Sequence, residues 1–202
     1  MDQITAGGGL DLMAASNISW VRRNSVVWSS IEIADRKYNW RAMKSLETEL
    51  KNASRRGIQV VLIVRSTPQW ARKIAGSGPL CGPIAQNKLT AFGNFMKALV
   101  VCYSGAPYNV KYWELWNEPD IAASSFPGNN IFGCWGDPGD AYFGGGYYTD
   151  MLKVIYPKIK SADSQGQVLV GGLLMDCDPR LGAGCEKVKN SNLPPKFLEG
   201  IL

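Results

Sequence analysis

The 202-residue sequence contains no histidine. That absence removes the serine–histidine–aspartate triad, the cysteine–histidine pair and any histidine-bearing zinc site. None of the five cysteines (Cys81, Cys102, Cys134, Cys177 and Cys185) forms a CxxC pair, which argues against a zinc ribbon. No apolar run is long enough to span a bilayer. The first residues lack the basic-then-apolar order of a signal peptide, so export would need a leader upstream. Charged residues are few, at 19%, and the formal net charge is only +5. Basic stretches such as Arg72-Lys73 and Lys158-Ile159-Lys160 are short and read as solvated faces, not as a nucleic-acid footprint. No cofactor or metal is implied, and any catalysis must rest on carboxylates, cysteine, tyrosine, lysine or serine.

What remains is a chain with 46% hydrophobic residues, long enough for one domain with a sizeable core. Strands alternate with helices. A short helix is expected from Leu10 to Ile18 and a strand from Ile18 to Val27. Met43, Leu46, Leu50 and Ala53 recur at helical spacing within residues 41–55, with Gly57 as the C-terminal stop. Ile58 to Val64 is nearly all apolar and β-branched, the mark of a strand buried on both faces. A helix from Asn87 to Tyr103, a strand from Val110 to Trp116, a helix from Tyr147 to Ala162 interrupted by Pro157, a strand from Val168 to Leu174 and a last helix from Pro195 follow. Loops after strands are long and rich in polar and aromatic residues, whereas loops after helices are short. That asymmetry places function at the C-terminal ends of the strands, as in a TIM barrel. A doubly wound sheet would want a glycine-rich phosphate turn after its first strand, and Asn24-Ser25-Val26 is not one.

One segment concentrates chemistry. Val110-Lys111-Tyr112-Trp113-Glu114-Leu115-Trp116 ends abruptly in Asn117-Glu118-Pro119. Two-residue alternation places Glu114, Trp116 and Glu118 on one face. Pro119 disfavours the α region for Glu118 and implies an extended, ordered turn. Asn, Glu and Pro are ordinary turn residues, but following two tryptophans and a glutamate on a buried strand they point to a presented carboxylate.

Trp113-Glu114-Leu115-Trp116-Asn117-Glu118-Pro119 resembles the fourth-strand signature of the large clan of retaining glycoside hydrolases on (β/α)8 barrels. The likeness is nearest to β-xylosidase and α-L-iduronidase-like members, then to cellulase-like ones. Trp20-Val21-Arg22-Arg23-Asn24 with Trp28 to Glu32 is similar to the second strand and its loop. Tyr38-Asn39-Trp40, Ser66-Thr67-Pro68-Gln69-Trp70-Ala71 and Val170-Gly171-Gly172-Leu173 continue the likeness in order. The resemblance implies Glu118 as general acid/base and Asn117 as the partner of the sugar 2-hydroxyl. It also implies an arginine on the second strand. Spacing to Trp28 favours Arg23 and spacing from Trp20 favours Arg22, with Arg23 taken as the substrate-side residue. Trp28, Trp70 and Trp116 are candidate sugar-stacking platforms. Trp20 and Trp113 read as core, Glu114 as a buried network carboxylate, and Trp135 with Tyr142-Phe143 as further cleft candidates. Asp176 and Asp178 read as loop residues that could reach the same face.

The clan's nucleophile is a second glutamate on the seventh strand, and nothing here matches its motif. A closed barrel takes roughly 250 residues. Residues 1–202 are therefore expected to form a partial barrel domain of about strands two to five, inactive alone, acting with further sequence on an oligo- or polysaccharide. A non-catalytic carbohydrate-binding or cell-surface barrel is the alternative, and a transglycosylase a third reading. Four loop cysteines suggest two disulfides, Cys81–Cys134 and Cys177–Cys185, and hence an extracellular setting. Free thiols in a cytosolic protein are the other reading, and Cys102 is expected to be buried in its helix.

Overall fold

A computed structural model describes residues 8–124, 132–174 and 194–202. The helices are α1 (Gly9–Ala15), α2 (Trp28–Ile31), α3 (Lys44–Arg55), α4 (Leu89–Tyr103), α5 (Gly145–Ala162) and α6 (Pro194–Glu199). The strands are β1 (Trp20–Val27), β2 (Glu32–Ala34), β3 (Lys37–Tyr38), β4 (Gln59–Arg65), β5 (Tyr112–Leu115) and β6 (Gln167–Val170). β2 and β3 form a small antiparallel pair, and the other four strands form one parallel sheet in the order β1-β4-β5-β6.

That order separates the two architectures open to the sequence. Each strand pairs with the next strand of the repeat, so the sheet winds in one direction. A doubly wound sheet reverses its order and carries helices on both faces. Here Val60, Leu62 and Val64 of β4 share one buried cluster with Leu46 and Leu50 of α3 and Phe92, Phe95, Met96 and Leu99 of α4. On the opposite face of β1, Trp20, Arg22 and Asn24 are exposed. Helices outside and an inward row of mixed side chains are the pattern of a (β/α)8 barrel, of which the described sheet is a part.

Local chemistry places the elements. α3 buries Leu46, Leu50 and Ala53 along one stripe and ends at Gly57, whose φ of +69° suits a residue without Cβ. The Ile58 N–H then donates to the Ala53 carbonyl at 3.0 Å and the Gly57 N–H to the Ser54 carbonyl at 3.1 Å, closing the helix before β4. β1 carries an irregularity between Asn24 and Val26 in its pairing with β4. Side chains before and after that bulge change faces out of step with simple alternation.

Two burial expectations are corrected. Trp20 is 48% exposed, because it sits at the inward-facing start of β1 against the edge of Tyr112, with centroids 4.6 Å apart. Cys102 is exposed, on the side of α4 away from the sheet. Cys81 and Cys134 form a disulfide with Cα atoms 5.1 Å apart. Cys177, Cys185, Asp176 and Asp178 lie outside the described residues. No helix among the described residues is long and apolar enough to cross a membrane.

Candidate active site at the C-terminal end of β5

β5 stops at Leu115, and the next residues turn across the top of the sheet. Trp116 has φ +70° and Glu118 φ +49°, both in the left-handed region that non-glycine residues avoid. Holding two such residues costs about 1–3 kcal/mol each. The surroundings fix them: the Trp116 N–H donates to the Val64 carbonyl at 2.9 Å, and the Glu118 N–H to the Gly172 carbonyl at 2.8 Å. The turn is thus anchored to β4 on one side and to the segment after β6 on the other. Glu118 is left-handed rather than extended: Pro119 disfavours the right-handed α region, and the hydrogen bond from the Glu118 N–H to Gly172 holds the residue in the left-handed well instead of the β region that a following proline favours.

The break in backbone geometry also ends the alternation. Glu114 points inward, where the Arg22 guanidinium embraces it: Nε to Oε2 at 2.7 Å and Nη2 to Oε1 at 2.6 Å. The Gly172 N–H adds a third donor at 2.9 Å. Glu114 is 4% exposed and is the buried network carboxylate expected of it. Arg22 Nη2 also donates to Asn117 Oδ1 at 2.8 Å. The hydrogen bond to Glu114 holds the Arg22 guanidinium above its ordinary pKa against the effect of burial, and the charges of Glu114 and Glu118 act in the same direction. Arg22 is therefore the arginine on the site side. Arg23, the sequence-based choice, faces the helices and pairs with Glu49 of α3 at 2.7 Å.

The tryptophans divide differently from expectation. Trp28 is fully buried, packed on Phe92 with centroids 4.6 Å apart, and its Nε1 donates to Glu32 at 2.6 Å. No sugar can stack on it; it is core. Trp116 is 1% exposed and edge-on to Trp135 at 5.5 Å, so it borders the cleft from within the core. Trp70 is partly buried, with Nε1 donating to the Glu32 carbonyl at 3.2 Å. Trp135 and Phe143 belong to the interior, while Tyr142 is half exposed.

Glu118, Asn117, Asn24 and Arg65 line one open cleft of about 280 Å³, walled by Leu80 and Phe132. The far wall is stitched in place. The Trp135 N–H donates to the Pro119 carbonyl at 3.0 Å, the Gly82 N–H to the Gly133 carbonyl at 2.7 Å, and Cys81–Cys134 links the same two loops. A Cβ on Gly133 would lie 2.1 Å from the Glu118 carbonyl, so only glycine allows this approach. Below, the Tyr148 hydroxyl donates to the Leu115 carbonyl and accepts the Gly171 N–H at 3.1 Å, tying the ends of β5 and β6 together. Burial pushes the Tyr148 phenol above its ordinary pKa. Asp120, fully buried, accepts the Leu174 N–H at 3.0 Å.

Asn24, Arg65, Tyr148 and Asp120 were missed in the sequence. For Arg65 a signal existed: it ends an apolar strand, two residues beyond Ile63 and four beyond Val61, on the inward row. Tyr148 gave none, since it reads only as a helical position.

No family model matches the sequence, and no curated protein does. Solved structures do. A family 39 glycoside hydrolase from the gut symbiont Bacteroides cellulosilyticus aligns with TM-score 0.53 and 19% identity, over 81% of this chain and 28% of its own. An endoglucanase from Pseudomonas stutzeri aligns with TM-score 0.52 and 14% identity, over 79% and 40%. A monomeric β-xylosidase from Caulobacter crescentus aligns with TM-score 0.50 and 18% identity, over 79% and 32%. The chain spans less than half the length of each of these structures. The likeness is one of fold: this chain folds as part of a TIM barrel like that of these glycoside hydrolases.

Proposed function

We propose that the chain carries the acid/base side of a retaining glycoside hydrolase site, with Glu118 as the proton-transferring group. The observation that supports it most is the strained turn, which spends backbone energy to hold Glu118 at the cleft beside Asn117. Strain held beside a carboxylate by β4 and by the segment after β6 is costly without a task.

In this reading Glu118 gives its proton to the departing glycosidic oxygen and then takes one from the incoming water. Asn117 has a defined polarity. Its Oδ1 is taken by Arg22, so its amide N–H groups are presented as donors. A sugar 2-hydroxyl oxygen is the acceptor they suit, in a contact that strengthens as the ring approaches an oxocarbenium ion. Arg22 holds both Asn117 and the buried Glu114, so it positions the amide. The nucleophile belongs about 5–5.5 Å from the acid/base carboxyl. No residue among the described ones is assigned to that role.

The test is hydrolysis of aryl β-glycosides by the full-length protein that contains this chain. Glu118→Gln should cut turnover by about 10²–10⁴-fold. The purified 202-residue chain should bind glycosides without hydrolysing them. Unchanged turnover by the variant, or hydrolysis by the isolated chain, contradicts the proposal.

A further inference from the structure

Arg65 is the charge in the cleft that the proposed chemistry leaves unused. It ends β4 on the inward row, in register with Val27. Its Nε donates to Asn24 Oδ1 at 2.5 Å, which fixes the plane of the guanidinium. Among the described residues no carboxylate pairs with it. Arg22, its neighbour on the same face, is engaged by Glu114 through two hydrogen bonds. Arg65 is partly buried and lines the same cleft as Glu118 and Asn117.

We propose that Arg65 is the receptor for an anionic group on the substrate, a ring carboxylate or a sulfate ester, carried by a sugar bound in the Glu118 cleft. This rests on the glycoside reading and narrows it to acidic glycans. The physical case is one of unmatched charge. A guanidinium taken out of water gains from a counter-charge, and its planar fork matches an oxyanion through two parallel hydrogen bonds. Asn24 occupies Nε, so the terminal nitrogens remain for the ligand. Burial lowers the Arg65 pKa. A neutral sugar would leave that deficit in place. Asn24 is a positioning residue, and Arg65 makes the contact.

The experiment is a titration of the 202-residue chain with three probes, followed by amide chemical shifts. The probes are methyl β-D-glucoside, methyl β-D-glucuronide and methyl β-D-glucoside 6-sulfate, repeated for the galacto series. In at least one series an acidic probe should bind about tenfold more tightly than its neutral counterpart. The preference should shrink at high salt. The uronide and sulfate arms tell which anion is the partner. Arg65→Gln should abolish the preference, and Arg65→Lys should keep part of it. Equal or weaker binding of the acidic probes by the wild-type chain overturns the proposal, and this comparison needs no variant. So does a preference that survives Arg65→Gln. If no glycoside, neutral or acidic, shifts the resonances of the cleft, the glycoside reading itself falls. If neutral sugars bind without preference, that reading stands and only the anion site is lost.

Discussion

Arg22 Nη2 lies 2.6 Å from Glu114 Oε1, although β4 stands between their strands. Neighbouring strands are about 4.8 Å apart, so the side chain reaches over two strand spacings. The same nitrogen then holds Asn117 Oδ1. One arginine thus couples β1, β5 and the turn from Trp116 to Pro119, and the orientation of the proposed sugar contact depends on it.

Arg22 and Arg23 should separate cleanly on mutation. Arg22→Met strips the buried Glu114 of two of its three donors and should cost about 2 kcal/mol of stability. It should also weaken glycoside binding, because Asn117 loses its anchor. Arg23→Met breaks an ion pair with Glu49 on the helical side and should leave binding unchanged in the folded protein. Urea unfolding and glycoside titration of both variants check this. Equal binding losses would overturn the assignment of faces.

Trp28 is a test of core against platform. It is wedged between Phe92 and Trp70, with centroids at 4.6 and 5.7 Å. Trp28→Ala should destabilise the protein by about 3–5 kcal/mol through the cavity it leaves. Sugar affinity per folded molecule should not change. A large affinity loss with little loss of stability would mean that the ring meets the ligand.

Glu32 gives a pH signature. Glu32 is 1% exposed, and burial is the main cause holding its pKa above the ordinary value. The hydrogen bonds from Trp28 Nε1 at 2.6 Å and the Arg36 N–H at 2.7 Å oppose the shift, and the charge of Asp35 adds to it. The fold therefore favours the protonated acid. That contribution is complete below the unfolded value of about 4.3 and is lost as pH rises through the higher folded value. Relative to Glu32→Gln, the wild type should lose stability as pH climbs across that window. Parallel stability curves from pH 4 to 8 would rule this out.

The Cys81–Cys134 bridge spans 53 positions of sequence. Loop-closure entropy for that span is worth at most about 4 kcal/mol. The bridge also pins Gly133 under Glu118. Reduction, or Cys81→Ser with Cys134→Ser, should lower the melting temperature and weaken glycoside binding together. A fall in melting temperature with unaltered binding would separate the bridge from the cleft.

The strands were legible because their chemistry is unambiguous. Ile58 to Val64 can hardly be anything but buried strand, and β4 begins one residue later and ends one residue beyond. The barrel winding followed from long loops after strands and short loops after helices. The site was legible where it lay in one run of sequence, as in Trp116-Asn117-Glu118-Pro119. It failed where side-chain parity had to be carried across an irregularity. The bulge between Asn24 and Val26 lies between Arg22 and Trp28, six positions apart, so simple alternation puts both on one face and makes the buried Trp28 look like part of the cleft. The left-handed Trp116 breaks parity in the same way and turns its ring into the core. Arg65 and Asn24 meet from strands 41 positions apart in sequence, a contact that only pairing register reveals.

The central claim is that Glu118 transfers the proton. Its most direct test is leaving-group dependence of Glu118→Gln in the full-length protein. Aryl glycosides with poor leaving groups should lose about 10²–10⁴-fold in the glycosylation step, while 2,4-dinitrophenyl glycosides, which need no proton, should lose little. Added azide should restore turnover of the activated substrates by replacing the water that needs a base. A uniform loss across leaving groups, with no rescue by azide, would contradict the account.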